Sequence, residues 1–344
     1  MAISRRGLIR TTSAALTGVS LFAQQRLGPL PHVHGPKIFL DYDQVELDAA
    51  YDQDAYASNR APLALRSQRN SERALARLGA PMRFAYGPSE SEKLDVFVGE
   101  QPLGGRWIFA PIHIHFHGGA WRGGSARDEA YLAEPFVGVG AVAILPDFAH
   151  VQDVGGRLMP MAEQVRRAIA WAYKNAARFH GDPNRIYLSG VSSGAHLGGC
   201  ALIADWPRDY GVPADVIKGA LLISGMYDLK GPRLSSRREY VKFDDATEEA
   251  LSPQRHLDRI TTPLIIAHAG LDTPEFQRQS REFAAAVKAA GKPVEFFVGE
   301  GYNHFELIET LGNPYGILGR AALRQLESTE AHLDDSLMRA PVKN

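Results

Sequence analysis

Apolar residues in this chain come in short runs separated by glycine, proline and charge, and their spacing switches repeatedly between a strand period and a helix period. Arg83 to Tyr86 and Leu94 to Val98 read as two strands around a Gly-Pro-Ser turn, followed by the β-branched run Ile112 to Phe116 and the apolar run Ala141 to Leu145. Met159 to Phe179 is helical in pattern. Val165, Ile169, Ala172 and Ala176 fall on one face, and Gly181-Asp182-Pro183 stops the helix. Further strands are expected at Ile186 to Leu188, Ala220 to Ser224, Pro263 to His268 and Val294 to Val298, with helices at Pro274 to Ala290 and Tyr315 to Leu326. Strands alternating with helices in this rhythm predict an α/β fold, a mostly parallel twisted sheet with right-handed crossovers and helices on both faces.

Two stretches fall outside that rhythm. Residues 26–80 begin as a Pro/Gly-rich coil to Lys37 and continue as polar, helix-compatible sequence, broken at Pro62, with a helix expected from Leu65 to Leu78 and ended by Gly79 and Pro81. Residues 226–260 are long, charged and irregular. Both are expected to form a cap or lid over a catalytic domain spanning 81–330, and 331–344 to be a polar tail.

Composition narrows the function. At 344 residues the chain can bury one large core, and a net charge of -1 gives no electrostatic footprint for nucleic acid. The single cysteine, Cys200, excludes an internal disulfide and reads as a small packed residue rather than a nucleophile. Residues 1–25 resemble a twin-arginine export signal, with Arg5-Arg6 ahead of a small-residue run from Thr11 to Ala23, so a periplasmic location is expected; the alternative is a basic tail on a cytoplasmic enzyme. No stretch has the length and apolarity of a confident membrane span, and the oligomeric state is left open.

The chemistry centres on Gly190-Val191-Ser192-Ser193-Gly194, a G-x-S-x-G turn between a strand and an apolar helix opening at Ala195. A serine raised on such a turn leaves no room for side chains two positions to either side, and Ser192 is the candidate nucleophile. The helix start behind it would aim free backbone N–H groups at a developing oxyanion. Upstream, Ile112-His113-Ile114-His115-Phe116-His117-Gly118-Gly119-Ala120-Trp121 runs from a strand into a glycine turn. That turn reads as an oxyanion loop; the alternative is a metal site on His113, His115 and His117, which alternate onto one strand face. The base should follow the serine and an acid in chain order. His304, in Gly301-Tyr302-Asn303-His304-Phe305 after the last strand, is the candidate base; His196 and His268 read as packing residues. Asp272, just past the strand ending at His268, is the candidate acid ahead of Asp228, and Glu275 reads as a first-turn helix acid.

His117-Gly118-Gly119-Ala120-Trp121, the elbow extended to Leu197, Ser224-Gly225-Met226-Tyr227-Asp228-Leu229, Asp272-Thr273-Pro274-Glu275-Phe276 and Asn303-His304-Phe305 resemble, in this order, the α/β-hydrolase superfamily. Within it the echo is of the hormone-sensitive-lipase-like esterases and the kynurenine formamidases. The resemblance implies Ser192 as nucleophile, His304 as base, Asp272 as acid, the backbone N–H groups of Gly118, Gly119 or Ala120 with Ser193 as oxyanion donors, and Trp121 with His117 at the substrate pocket. It implies no cofactor and no metal, and a small ester or formamide as substrate. Val191 stands where formamidases commonly carry histidine, Ser193 where alanine is usual, and Ala120 where the lipase-like esterases carry a third glycine. These departures favour a carboxylesterase; an arylformamidase and a metal-dependent hydrolase built on the three histidines are the alternatives.

Overall fold

The computed structural model describes residues 28–99 and 109–338, so the signal-like segment 1–25 lies outside the described residues. Eight strands, β1 (Met82–Ala85), β2 (Lys93–Phe97), β3 (Ala110–Phe116), β4 (Val142–Pro146), β5 (Gly181–Val191), β6 (Ile217–Ile223), β7 (Leu264–Ala269) and β8 (Val294–Gly299), form one sheet in the order β1-β2-β4-β3-β5-β6-β7-β8. The β1–β2 and β2–β4 pairs are antiparallel and every other pair is parallel. The helices are α1 (Gln44–Ala50), α2 (Arg60–Leu78), α3 (Glu134–Gly138), α4 (Met159–Asn175), α5 (Ser193–Leu202), α6 (Trp206–Tyr210), α7 (Lys230–Leu234), α8 (Asp245–Ala250), α9 (Pro274–Ala289), α10 (His304–Glu309) and α11 (Ile317–Met338).

The central strands read as unbroken apolar runs because both faces of the sheet are covered. On β6, Ala220 and Leu222 join one buried cluster with Val165 and Ile169 of α4, while Leu221 and Ile223 join the other with Leu318 and Ala322 of α11. Burying each such leucine contributes about 2 kcal/mol. β3 alternates differently: Ile112, Ile114 and Phe116 fill the α4 side, and the intervening histidines face the opposite layer.

Two expected boundaries move. α2 starts at Arg60 and runs through Pro62, because a proline at the third helical position removes only an N–H that has no intrahelical acceptor. α11 continues from Ile317 to Met338, past the expected end at Leu326 and into the expected tail. No helix among the described residues is long and apolar enough to cross a membrane.

Candidate active site

Adjacent parallel strands deliver the predicted residues to one edge of the sheet, at the carboxyl ends where ligands bind in open α/β folds. Ser192 follows directly on β5 and Ser224 on β6, β7 runs into the Asp272 turn, and β8 leads through Asn303 to His304.

Ser192 has φ +56° and ψ −121°, a conformation a non-glycine residue holds only when its surroundings impose it. They do so here. A Cβ at Gly190 would lie 2.6 Å from the Gly194 carbonyl oxygen, and one at Gly194 would lie 2.1 Å from the Phe116 carbonyl oxygen. The Ser192 N–H donates to the Ile223 carbonyl at 2.9 Å, which ties the elbow to β6. Ser193 is the first residue of α5, so its N–H is among those a helix start leaves without an intrahelical partner.

Beside the elbow, Gly118 packs so closely that a Cβ there would sit 3.4 Å from that of Ser192. Gly119, Ala120 and Trp121 then take φ of +118°, +55° and +63°, and the first two line a cleft of about 1240 Å³ together with Gly118, Ser192 and His304.

His304 opens α10, which Asn303 caps in a capping box with Glu306. Its Nδ1 donates to Asp272 Oδ1 at 2.6 Å, which leaves Nε2 as the lone-pair nitrogen. Asp272 is fully buried, and its Oδ2 accepts from the Ala269 N–H at 2.8 Å and from Ser224 Oγ at 2.5 Å. Three donors from three elements thus fix this carboxylate. Ser224, itself at φ +48°, stands in the sequence only as the first residue of a resembling segment, with no role assigned to it. Asp228, the runner-up acid, turns away and pairs with Arg255 at 2.9 Å. Glu275 is buried but engaged elsewhere, accepting from Tyr51 Oη at 2.8 Å and pairing with Arg278 at 2.7 Å.

The expected pocket roles of Trp121 and His117 are corrected. Neither lines the cleft. The positive φ at Ala120 and Trp121 turns the chain back under the loop, and the Trp121 indole is buried, donating to His196 Nδ1 at 3.1 Å. His196 in turn donates from Nε2 to the Leu251 carbonyl at 2.9 Å, and burial pushes its pKa down to about 4. His117 stacks flat on Phe148 with centroids 4.2 Å apart, and burial lowers its pKa too. Cys200 is buried, and desolvation pushes its thiol up to about 12, so it is no nucleophile at neutral pH.

The strand histidines do not converge as a metal site. His113 Nε2 and His115 Nδ1 share Ser189 Oγ at 2.8 and 2.6 Å, His115 Nε2 meets Glu129 Oε2 at 2.9 Å, and His117 Nδ1 is turned to the Gly118 carbonyl at 2.8 Å. This chain of bonds ends in Glu129 on the wall of the cleft. His113 stacks on Phe136 at 3.7 Å, and its burial, with His115 adjacent, holds its pKa well below the ordinary range.

Sequence reasoning also missed Arg237. It is buried, lines the cleft, donates to the Tyr51 carbonyl at 2.9 Å and Tyr240 Oη at 3.0 Å, and lies over the Trp121 ring at 5.3 Å. Nothing in the irregular 226–260 stretch signalled it. Residues of α1, of α2 and of the turn between them also line the wall, among them Asp48, Tyr51 and Leu63.

Comparison with known proteins agrees with this architecture. Residues 104–205 match the BD-FAE family model. The chain is 34% identical to a kynurenine formamidase of Danio rerio, over 74% of this chain and 85% of that protein, and 33% identical to one of Salmo salar, over 70% and 80%. The chain belongs to the α/β-hydrolases, in their esterase and arylformamidase branch. Within this branch it is also 30% identical to esterase LipQ of Mycobacterium tuberculosis, over 60% of this chain and 52% of that one. A putative thioesterase from Silicibacter shares the hydrolase fold with a TM-score of 0.70 at 24% identity, covering 81% of this chain and 99% of that one. The chain is therefore a hydrolase of the esterase and formamidase type.

Proposed function

We propose that this hydrolase cleaves small carboxylic esters through an acyl-enzyme formed on Ser192. The observation that carries the reading is the buried bond from His304 Nδ1 to Asp272, which presents the opposite imidazole nitrogen, on the wall of the cleft that also holds Ser192. Ser192 Oγ attacks the ester carbonyl carbon as its proton passes to His304 Nε2. The carbonyl oxygen becomes an oxyanion held by backbone N–H groups of the Gly118–Ala120 loop and of Ser193, where a good donor contributes about 3 kcal/mol. Collapse breaks the bond to the alkoxide, which takes the proton from His304. Water, deprotonated by the same imidazole, then releases the acid and regenerates Ser192.

A second reading is hydrolysis of aryl formamides such as N-formylkynurenine, by the same steps with an amine leaving. It is favoured by the two kynurenine formamidases among the relatives and by Arg122 and Arg237 on the cleft wall, cations that suit a substrate carrying its own carboxylate. Side-by-side rates on p-nitrophenyl acetate, p-nitrophenyl butyrate and N-formylkynurenine, with and without a serine-directed phosphonate, test both. Phosphonate-sensitive ester cleavage with slow formamide turnover is expected. Faster formamide turnover replaces the first reading with the second, and insensitivity to the phosphonate overturns both.

A further inference from the structure

Away from the cleft chemistry, the coil ahead of α1 brings two imidazoles and two carboxylates together. His32, His34, Asp43 and Glu46 each offer a donor atom, and the four atoms lie within 4.8 Å of one another. His32 Nε2 is 3.0 Å from Asp43 Oδ2, while His34 Nδ1 is 3.6 Å from that oxygen and 3.1 Å from Glu46 Oε1. Four ligands at zinc–nitrogen and zinc–oxygen bond lengths stand about 3.3 Å apart along a tetrahedral edge. The observed separations bracket that value.

The polar atoms around the group are spoken for in a way that leaves these four facing inward. His32 Nδ1 donates to the Leu30 carbonyl at 3.0 Å, which makes Nε2 the lone-pair nitrogen and aims it at a carboxylate oxygen that can only accept. Two acceptors at 3.0 Å repel unless a proton or a metal ion lies between them. Asp43 is oriented by the N–H of Gly35 at 2.9 Å and that of Glu46 at 3.0 Å. Glu46 is held through its other oxygen, Oε2, by the Asp43 N–H at 2.8 Å, with Lys37 on the same oxygen at 3.5 Å. His32, Asp43 and Glu46 thus each have an outer bond of the kind that fixes metal-binding side chains. One divalent ion at the centre would neutralise both carboxylates.

We propose that His32, His34, Asp43 and Glu46 bind one divalent transition-metal ion, zinc by its mixed imidazole and carboxylate donors, clasping the coil ahead of α1 to the first turn of that helix. His34 is 71% exposed and gives the ion its way in. The ion is structural. Leu30, whose carbonyl holds His32, and Val45, Asp48 and Ala49 of α1 line the cleft, so the clasp braces the cleft rim without meeting the reacting atoms.

The test is calorimetric titration of zinc chloride into the full chain after chelator treatment, with metal content measured after dialysis, for the parent, His34→Ala and His32→Ala. One ion per chain is expected, with affinity at least about tenfold weaker in either variant. A thermal midpoint raised by zinc in the parent and not in His34→Ala is the second expected result. Binding well below one ion per chain, or an affinity unchanged by both substitutions, overturns the site. His34 is largely exposed, so its variant is expected to fold and either result is decisive.

Discussion

The sheet edge and the cap that covers it are held by different physics. At the edge, Ser192, Asp272 and His304 are 7%, 1% and 5% exposed, and each is fixed by backbone that the sheet itself dictates. In the cap, α1, α2 and the 226–260 stretch meet the body partly through buried groups such as Leu47 and the Tyr51–Glu275 bond, and partly through exchangeable side-chain contacts. Arg66 pairs with Glu309, and Asn59 donates to Glu306 at 2.8 Å. An exposed ion pair such as Arg66–Glu309 contributes about 0–1 kcal/mol. The difference separates two roles. The proposed reaction chemistry sits where the backbone leaves little choice, and much of the cleft's shape sits where side chains can be exchanged at small cost.

Removing the serine hydroxyl is the strongest way to challenge that division. Ser192→Ala is expected to lower kcat/KM on p-nitrophenyl acetate by about five orders of magnitude. The thermal midpoint should move by less than about 2 °C, because the elbow glycines and the bond to Ile223 remain. Activity within tenfold of the parent would remove Ser192 from the mechanism.

The next effect in size is on stability, and it comes from the buried histidines. His196, inside the body, has a pKa of about 4 against 6.5 for an ordinary histidine. Between those values the unfolded chain binds a proton that the folded chain refuses. The free energy of unfolding therefore falls as pH drops from 6.5 to 4 and is flat with respect to this group above 6.5. A shift of that size corresponds to about 3 kcal/mol. His113, His117 and His268 shift in the same direction, also through burial. Urea midpoints measured at steps between pH 7.5 and 4.5 should show the loss, and His196→Gln should make the slope shallower. A slope unchanged by that substitution would mean His196 titrates normally.

What could be read from the sequence follows the same division. Strands, the G-x-S-x-G elbow and the positions of Asp272 and His304 were legible because each is a local pattern or a place in a fixed chain order. Trp121 and His117 were placed in the pocket and are not there, since side-chain direction after a glycine turn depends on the positive φ at Ala120 and Trp121, which no residue type announces. Ser224 and Arg237 act through contacts with Asp272 and Tyr51, distant in sequence, and the irregular 226–260 stretch carries no period to fold by. His32 and His34 passed as coil residues because their partners, Asp43 and Glu46, lie across a turn at no motif spacing.

The smallest predicted effect falls on the seam between the two regions. Asn59, at the N-cap of α2, donates to Glu306 at 2.8 Å and accepts from Asn303 Nδ2 at 2.7 Å, and Asn303 and Glu306 form the capping box that positions His304. Asn59→Ala leaves that amide and that carboxylate to water, at a cost of about 1 kcal/mol in stability. It loosens the start of α10 without touching a reacting atom, so kcat on a short ester should fall by about fivefold, less than the 1.4 kcal/mol that a tenfold change represents. Stopped-assay rates on p-nitrophenyl acetate, read beside the urea midpoint, measure both. A loss of a thousandfold would place the cap inside the catalytic machinery and dissolve the distinction between the regions. No change in either quantity would show that the body alone holds His304.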